Sequence, residues 1–259
     1  MAENSGISWT DNTFNPWIGC TKVSPACDFC YAETWDKRFN GERWGAKAPR
    51  TRTKIQNWNK VRKWNRVATE TGAKPIVFSA SLADIFDNHR SIEPTWREDF
   101  WSLVKETPAL SWMLLTKRPQ NIARFLPDDW GNGYSNVAIG ASAENQEEAD
   151  RRIPVLLEVP AACRFLSMEP LLGPVEIPRS ALGATKIAYL ITGGESGSKA
   201  RASDPNWFRS VRDQALAANV GFHFKQWGEY GATGERVGVD AAGNMLDGRQ
   251  WLDRLPLAL

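Results

Sequence analysis

IAYLITGGESG (residues 187–197) is a run of six apolar, aromatic or β-branched residues that breaks on a glycine pair and a carboxylate. Five other stretches share its form: PIVFSAS (75–81), SWMLLTKRP (111–119), NVAIGASAEN (136–145), CRFLSMEP (163–170) and GFHFKQWGE (221–229). Each run turns polar or glycine-rich at its end and is followed by a charged segment long enough for a helix. NPWIGC (15–20) is a similar run near the start. This alternation predicts an α/β fold of parallel strands joined by right-handed helical crossovers. Seven such runs suit a partial or complete (β/α) barrel. A doubly wound sheet stays open, because strand order is not visible in a sequence.

The intervening segments carry helical signals. EPTWREDFWSLVKET (93–107) sets Trp96, Phe100, Leu103 and Val104 at helical spacing, and DPNWFRSVRDQALAAN (204–219) offers Asp204 as N-cap with Pro205 at the first helical position. The expected organisation is one domain over residues 1–259, with a basic, Trp-containing insertion at about 36–70 and a C-terminal extension at about 230–259.

With 42% apolar residues the chain has material for a sizeable core. The opening MAENSGISWTDN has no signal-peptide pattern, and no stretch approaches the roughly 18 apolar residues of a membrane span. The expected location is therefore the cytoplasm, with no membrane partner. A net charge of +2 neither demands nor excludes a polyanion. Its distribution says more, because residues 41–66 hold nine Lys or Arg against one Glu, leaving the rest of the chain acidic. One reading is a solvated helix burying Trp58, Val61 and Trp64. The other is a surface that tracks the phosphates of DNA or RNA, with Trp44, Trp58 and Trp64 offered for stacking.

Three of the four cysteines, Cys20, Cys27 and Cys30, lie within eleven positions of NPWIGCTKVSPACDFCYAETW (15–35). A disulfide framework does not suit a chain read as cytosolic, and Cys163, at a strand start, reads as a small buried hydrophobe. A structural zinc would want a fourth ligand, and the two histidines, His89 and His223, are distant in sequence. An iron–sulfur cluster held by three thiolates leaves one iron open, which accounts for the number three.

The ordered motifs GCTKVSPACDFCYA, LTKRPQN, IGASAEN, LSMEPLLGPVE, ITGGESG and FKQWGE resemble a phage- and prophage-associated three-Cys-motif family of unknown function, over most of the chain. The cysteine loop, with Phe29 just before Cys30, resembles that of radical S-adenosylmethionine enzymes, although six residues rather than three separate its first two cysteines. The resemblance implies a radical S-adenosylmethionine type of barrel in a bacterial host cell. It implies a 4Fe-4S cluster on Cys20, Cys27 and Cys30, S-adenosyl-L-methionine at its open iron, and a reductant such as flavodoxin or ferredoxin.

In such barrels ligands are handled at the C-terminal strand ends. Those ends carry Ser79, Ser81 and Asp84; Lys117; Ser142 and Glu144; Glu169; Gly193, Gly194 and Glu195; and Lys225. The Gly-Gly-Glu that the superfamily carries after its second strand is absent there and stands instead at Gly193, Gly194 and Glu195, so Glu195 or Asp84 is expected to meet the cofactor's ammonium. Three functions follow: a radical enzyme acting on a nucleic-acid base or modified nucleotide; a nucleic-acid-binding protein with a structural iron–sulfur or zinc site completed by a ligand such as Cys163; and a metal-free hydrolase using Glu169 or Glu195.

Overall fold

The computed structural model describes residues 2–257; the expected domain span also takes in Met1, Ala258 and Leu259, which lie outside the described residues. The chain opens with short strands β1 (Ala2–Glu3), β2 (Asn12–Thr13) and β3 (Trp17–Ile18). Helix α1 (Tyr31–Arg38) follows the cysteine loop, then β4 (Thr51–Arg52) and α2 (Ile55–Thr71). Strands and helices then alternate as β5 (Ile76–Ser79), α3 (Pro94–Glu106), β6 (Ser111–Thr116), α4 (Ile122–Phe125), β7 (Val137–Ser142) and α5 (Gln146–Glu158). β8 (Cys163–Met168), β9 (Ile187–Gly193), α6 (Pro205–Ala218) and β10 (Gly221–Gln226) continue the series. The last described elements are α7 (Val239–Ala242) and the hairpin strands β11 (Met245–Leu246) and β12 (Arg249–Gln250).

Eight strands form one sheet in the order β1-β2-β5-β6-β7-β8-β9-β10, with β1 antiparallel to β2 and every other pairing parallel. Order in space follows order in sequence with no reversal. The sheet therefore curls into a half-barrel, and the doubly wound alternative, whose order reverses at a switch point, is set aside.

Two features of the expected rhythm are corrected. NPWIGC is not a barrel strand: Asn12–Thr13, just upstream, pairs with β5, while Trp17–Ile18 pairs antiparallel with β4 outside the main sheet. Between β8 and β9 no α-helix forms. Pro170, Pro174 and Pro178 remove amide donors from that stretch, and a single 3-10 turn, Arg179–Ala181, remains.

Strand alternation sorts the side chains onto two faces. Val77, Leu114, Ile139, Leu166 and Leu190 join a core with Val61 of α2, Phe100 of α3, Ile153 of α5 and Phe208 of α6. Ile76, Phe78, Met113, Ala138, Phe165 and Tyr189 face the other way, into a second core on the concave side. Phe165 fills so much of that interior that a Cβ on Gly140 would lie 2.5 Å from its ring, which explains the glycine in NVAIGAS.

The two ends of the chain cover this concave face. Trp9 tilts against Phe78 at 4.7 Å between ring centroids, and Leu255 packs in the same cluster. The C-terminal extension pairs with the free edge of β10, with Phe224 N donating to Trp251 O at 2.9 Å, and Arg254 reaches Asp11 at 2.6 Å. A backbone edge that would otherwise lie bare is thereby satisfied.

The helices that cover the convex face read largely as expected. α6 starts with Asp204 accepting from the Asn206 amide at 2.8 Å. α2 buries Trp58, Val61, Trp64 and Ala68 along one stripe and ends at Gly72 in a left-handed cap, φ 69°. It is the crossover from β2 to β5 rather than an insertion. Trp58 and Trp64 are core residues, 2% and 6% exposed, so the stacking role expected of them is withdrawn.

Candidate active site

Along the concave face the inward positions change from apolar to polar toward the C-terminal strand ends. Leu115 gives way to Lys117, Gly140 to Ser142, and Phe165 to Ser167 and Glu169, while Lys225 stands near the end of β10. With the cysteine loop these ends enclose a cavity of about 450 Å³. Cys20, Cys27, Cys30 and Phe29 line it from the loop. Ser81, Asp84, Lys117, Ser142, Glu169, Gly194, Glu195 and Lys225 line it from the strand ends, as the barrel rule anticipates. The sequence reading missed Tyr31, which sits on the wall and donates to Ser81 O at 2.6 Å, and the apolar floor of Ile7, Trp9 and Leu115.

Ser79, Glu144 and Gly193 are not on the cavity wall. Ser79 ends β5 on the alternate, outward register and is fully buried. Glu144 is also fully buried and accepts from Arg152 Nη1 at 2.9 Å, which ties α5 to the end of β7. Burial works against its charge, but Lys117 and Arg152 hold its carboxyl below the ordinary value. A Cβ on Gly193 would make ordinary contacts at 3.5 Å with Glu169 and Lys225. Gly194 is a true necessity of another kind. A Cβ there would lie 1.8 Å from the Trp227 carbonyl oxygen, so the glycine serves close approach of the protein's own backbone rather than of a ligand.

Three arginines hold the cysteine loop. Arg118, at the end of β6, donates to Asp84 at 2.9 Å, to Thr21 O at 2.7 Å and to Cys20 Sγ at 3.6 Å. Arg50 donates to Thr21 Oγ1 at 2.6 Å and to Asp87 at 2.9 Å. From the opposite side Arg201 reaches Pro25 O at 2.9 Å and Asp28 at 3.3 Å, with its guanidinium 5.0 Å from the Phe29 ring centroid. Burial pushes the Cys20 thiol up to about 11 against the opposing charge of Arg118. Burial also raises the Cys30 thiol, opposed by backbone amides at the start of α1 and by Lys117.

The thiols share the cavity wall without converging: among the described residues no three of His, Cys, Asp and Glu are gathered as a ready metal cage. The donor set nevertheless fits an iron–sulfur cluster. Three soft thiols face one cavity beside Lys117 and Arg118, cations suited to the negative charge that thiolate ligation brings. Cys163 does not line the cavity; it is buried in the second core at the opposite, N-terminal end of β8.

Both carboxylates expected to await an ammonium are already engaged. Glu195 accepts from the Arg201 amide and from its guanidinium through both oxygens, at 2.6–2.8 Å. Asp84 accepts from Phe86 N, Thr116, Lys117 N and Arg118. Glu169 differs. Its Oε2 pairs with Lys225 at 3.0 Å, while its buried Oε1 has no protein partner. A buried acceptor without a donor marks a place for a ligand or water.

The basic segment is divided. Arg43, Arg50, Arg52 and Arg62 pair with Asp36, Asp87, Asp99 and Glu106. Arg50 is 3% exposed and cannot track a phosphate. Lys47, Lys54, Lys60, Lys63 and Arg66 are exposed. Of the three tryptophans expected to stack, Trp44 is at the cavity wall.

Comparison with known proteins gives one positive finding: the model of a protein family described only as a protein of unknown function matches residues 4–256. No curated protein and no solved structure matches the chain. Among the described residues no helix is long and apolar enough to cross a membrane.

Proposed function

We propose that this chain, which belongs to the protein family of unknown function DUF5131, is a radical S-adenosylmethionine enzyme that modifies a nucleic-acid base. The observation that carries this reading is the meeting of Cys20, Cys27 and Cys30 with the polar ends of parallel strands around one cavity. The three thiolates would hold a 4Fe-4S cluster, which with S-adenosylmethionine and a reductant such as flavodoxin or ferredoxin supplies a 5′-deoxyadenosyl radical for hydrogen abstraction.

The chain's own contribution is binding, orientation and exclusion of water. Glu169 Oε1 is a free buried acceptor suited to an ammonium, and Lys117 on the cavity wall is a donor suited to a carboxylate. Trp9, Phe78 and Leu115 form an apolar floor that keeps water from a reactive species. The Tyr31 hydroxyl donates to Ser81 O at 2.6 Å, which fixes the ring on the cavity wall.

The structural-site alternative loses Cys163 as its candidate fourth ligand, since Cys163 is away from the cavity at the far end of β8. The test is anaerobic reconstitution with iron and sulfide, reduction in the presence of S-adenosylmethionine, and assay for 5′-deoxyadenosine. Failure to form it with a loaded cluster refutes the enzyme reading.

A second measurement assigns the ammonium site. Glu169→Gln keeps the shape but removes the charge, so S-adenosylmethionine affinity should fall by about tenfold with iron loading unchanged. Unaltered affinity removes Glu169 from recognition.

A further inference from the structure

The eight residues of α1 bury little besides Ala32 and Asp36. On its outer side Tyr31, Trp35 and Phe39 recur at every fourth position, and they are 55%, 37% and 62% exposed. Apolar surface grouped in this way marks a contact site. The rings are fixed rather than loose. The Tyr31 hydroxyl is bonded to Ser81 O, and the Trp35 and Phe39 centroids are 4.9 Å apart at 50°.

We propose that Tyr31, Trp35 and Phe39 form a stacking platform that leads a single-stranded nucleic acid to the cavity. Trp35 and Phe39 pack against each other at 4.9 Å and 50°, so they offer bases their exposed faces and not a gap between them. Such faces take unpaired bases, which a duplex keeps stacked on one another. The platform's inner end is placed for delivery, since Tyr31 and the neighbouring Phe29 line the cavity wall.

Charge complements the rings. Arg38 stands exposed next to Phe39 in sequence, Lys47 is exposed on the loop after α1, and Lys54 is exposed at the start of α2. Of the acidic groups on and just after α1, Glu33 is bonded to Lys22 and Lys37 and Asp36 is buried against Arg43, while Glu42 stands exposed against the three cations. Stacking on rings together with cations for the backbone is how sequence-tolerant single-strand sites are built. What happens to the delivered base rests on the radical-enzyme reading above; the binding itself does not.

The experiment measures fluorescence anisotropy of a labelled DNA strand of about 12 nucleotides, within the site sizes such surfaces take, and of its duplex. Each is titrated with iron-loaded and iron-stripped protein. Wild type should bind the single strand more tightly than the duplex in both forms. Trp35→Ala and Phe39→Ala should each weaken single-strand binding by about tenfold, and Arg38→Ala with Lys54→Ala should reduce its salt dependence. These are surface positions, so unchanged melting curves confirm that the variants fold.

Equal affinity of the double variant Trp35→Ala/Phe39→Ala and wild type overturns the proposal, as does the absence of single-strand binding. Loss of flavodoxin binding in that double variant, with oligonucleotide binding intact, also overturns it and gives the patch to a protein partner. Formation of 5′-deoxyadenosine by a protein that binds no strand defeats this inference alone; strand binding without 5′-deoxyadenosine defeats the enzyme reading alone.

Discussion

Cys20→Ala, Cys27→Ala and Cys30→Ala should each abolish iron loading and 5′-deoxyadenosine formation, whereas Cys163→Ala should leave both near wild type. A cluster with three protein thiolates has no spare ligand, so removal of one leaves two irons without protein attachment. The three thiols line one cavity wall. Cys163 lies among Met113, Ala138 and Phe165 at the start of β8, and its thiol is pushed up to about 11 by burial, as befits a small hydrophobe. Iron content and visible absorbance after anaerobic reconstitution give the answer. Loss of iron on Cys163→Ala equal to that of the other three would mean four-thiolate, structural ligation.

The fold was legible where apolar periodicity creates it. Val77 and Phe78, or Met113 and Leu114, fall on opposite faces as strand alternation requires, so the runs around them were readable as strands. The first barrel strand was not. Asn12–Thr13 has no apolar pattern, and side chains hold its neighbourhood to β5 instead: Thr10 Oγ1 accepts from Phe78 N at 3.1 Å, and Asp11 accepts from Ile76 N at 2.7 Å. The cavity wall was legible for a similar reason, because strand ends of a barrel share one mouth.

What those groups bond to was hidden, since pairing is a long-range property. Glu195 looked free because its partner Arg201 lay in an ordinary polar loop. That same guanidinium also grips Asp28, 173 positions away. The α1 ladder went unread because Tyr31, Trp35 and Phe39 have the spacing of a core stripe, and only the packing reveals that nothing covers it.

Arg50→Ala should cost about 3–5 kcal/mol of stability, the range for removing one partner of a buried pair, and lower the melting temperature on the order of 10 °C. The cause is what it leaves behind. Arg50 and Asp87 have side chains 0% and 3% exposed, and the guanidinium also donates to Gly45 O at 3.0 Å and Ala48 O at 2.8 Å. Removal strands a buried carboxylate whose other cation, Arg118 Nε, is 3.9 Å away, and takes the guanidinium donor from the Gly45 and Ala48 carbonyls. Arg52, only two positions on, pairs with Asp99 in the open at 35% and 51% exposure. Arg52→Ala should therefore cost below about 1 kcal/mol. A polybasic run thus holds structural and solvent-facing cations side by side, and neutralising Arg50 tests loop architecture rather than phosphate contact. Because Arg50 also bonds Thr21 Oγ1, next to Cys20, its loss should reduce iron loading along with stability. Arg50→Ala melting together with Arg52→Ala would show that the buried network adds no stability and that the cysteine loop is held by Arg118 and Arg201 alone.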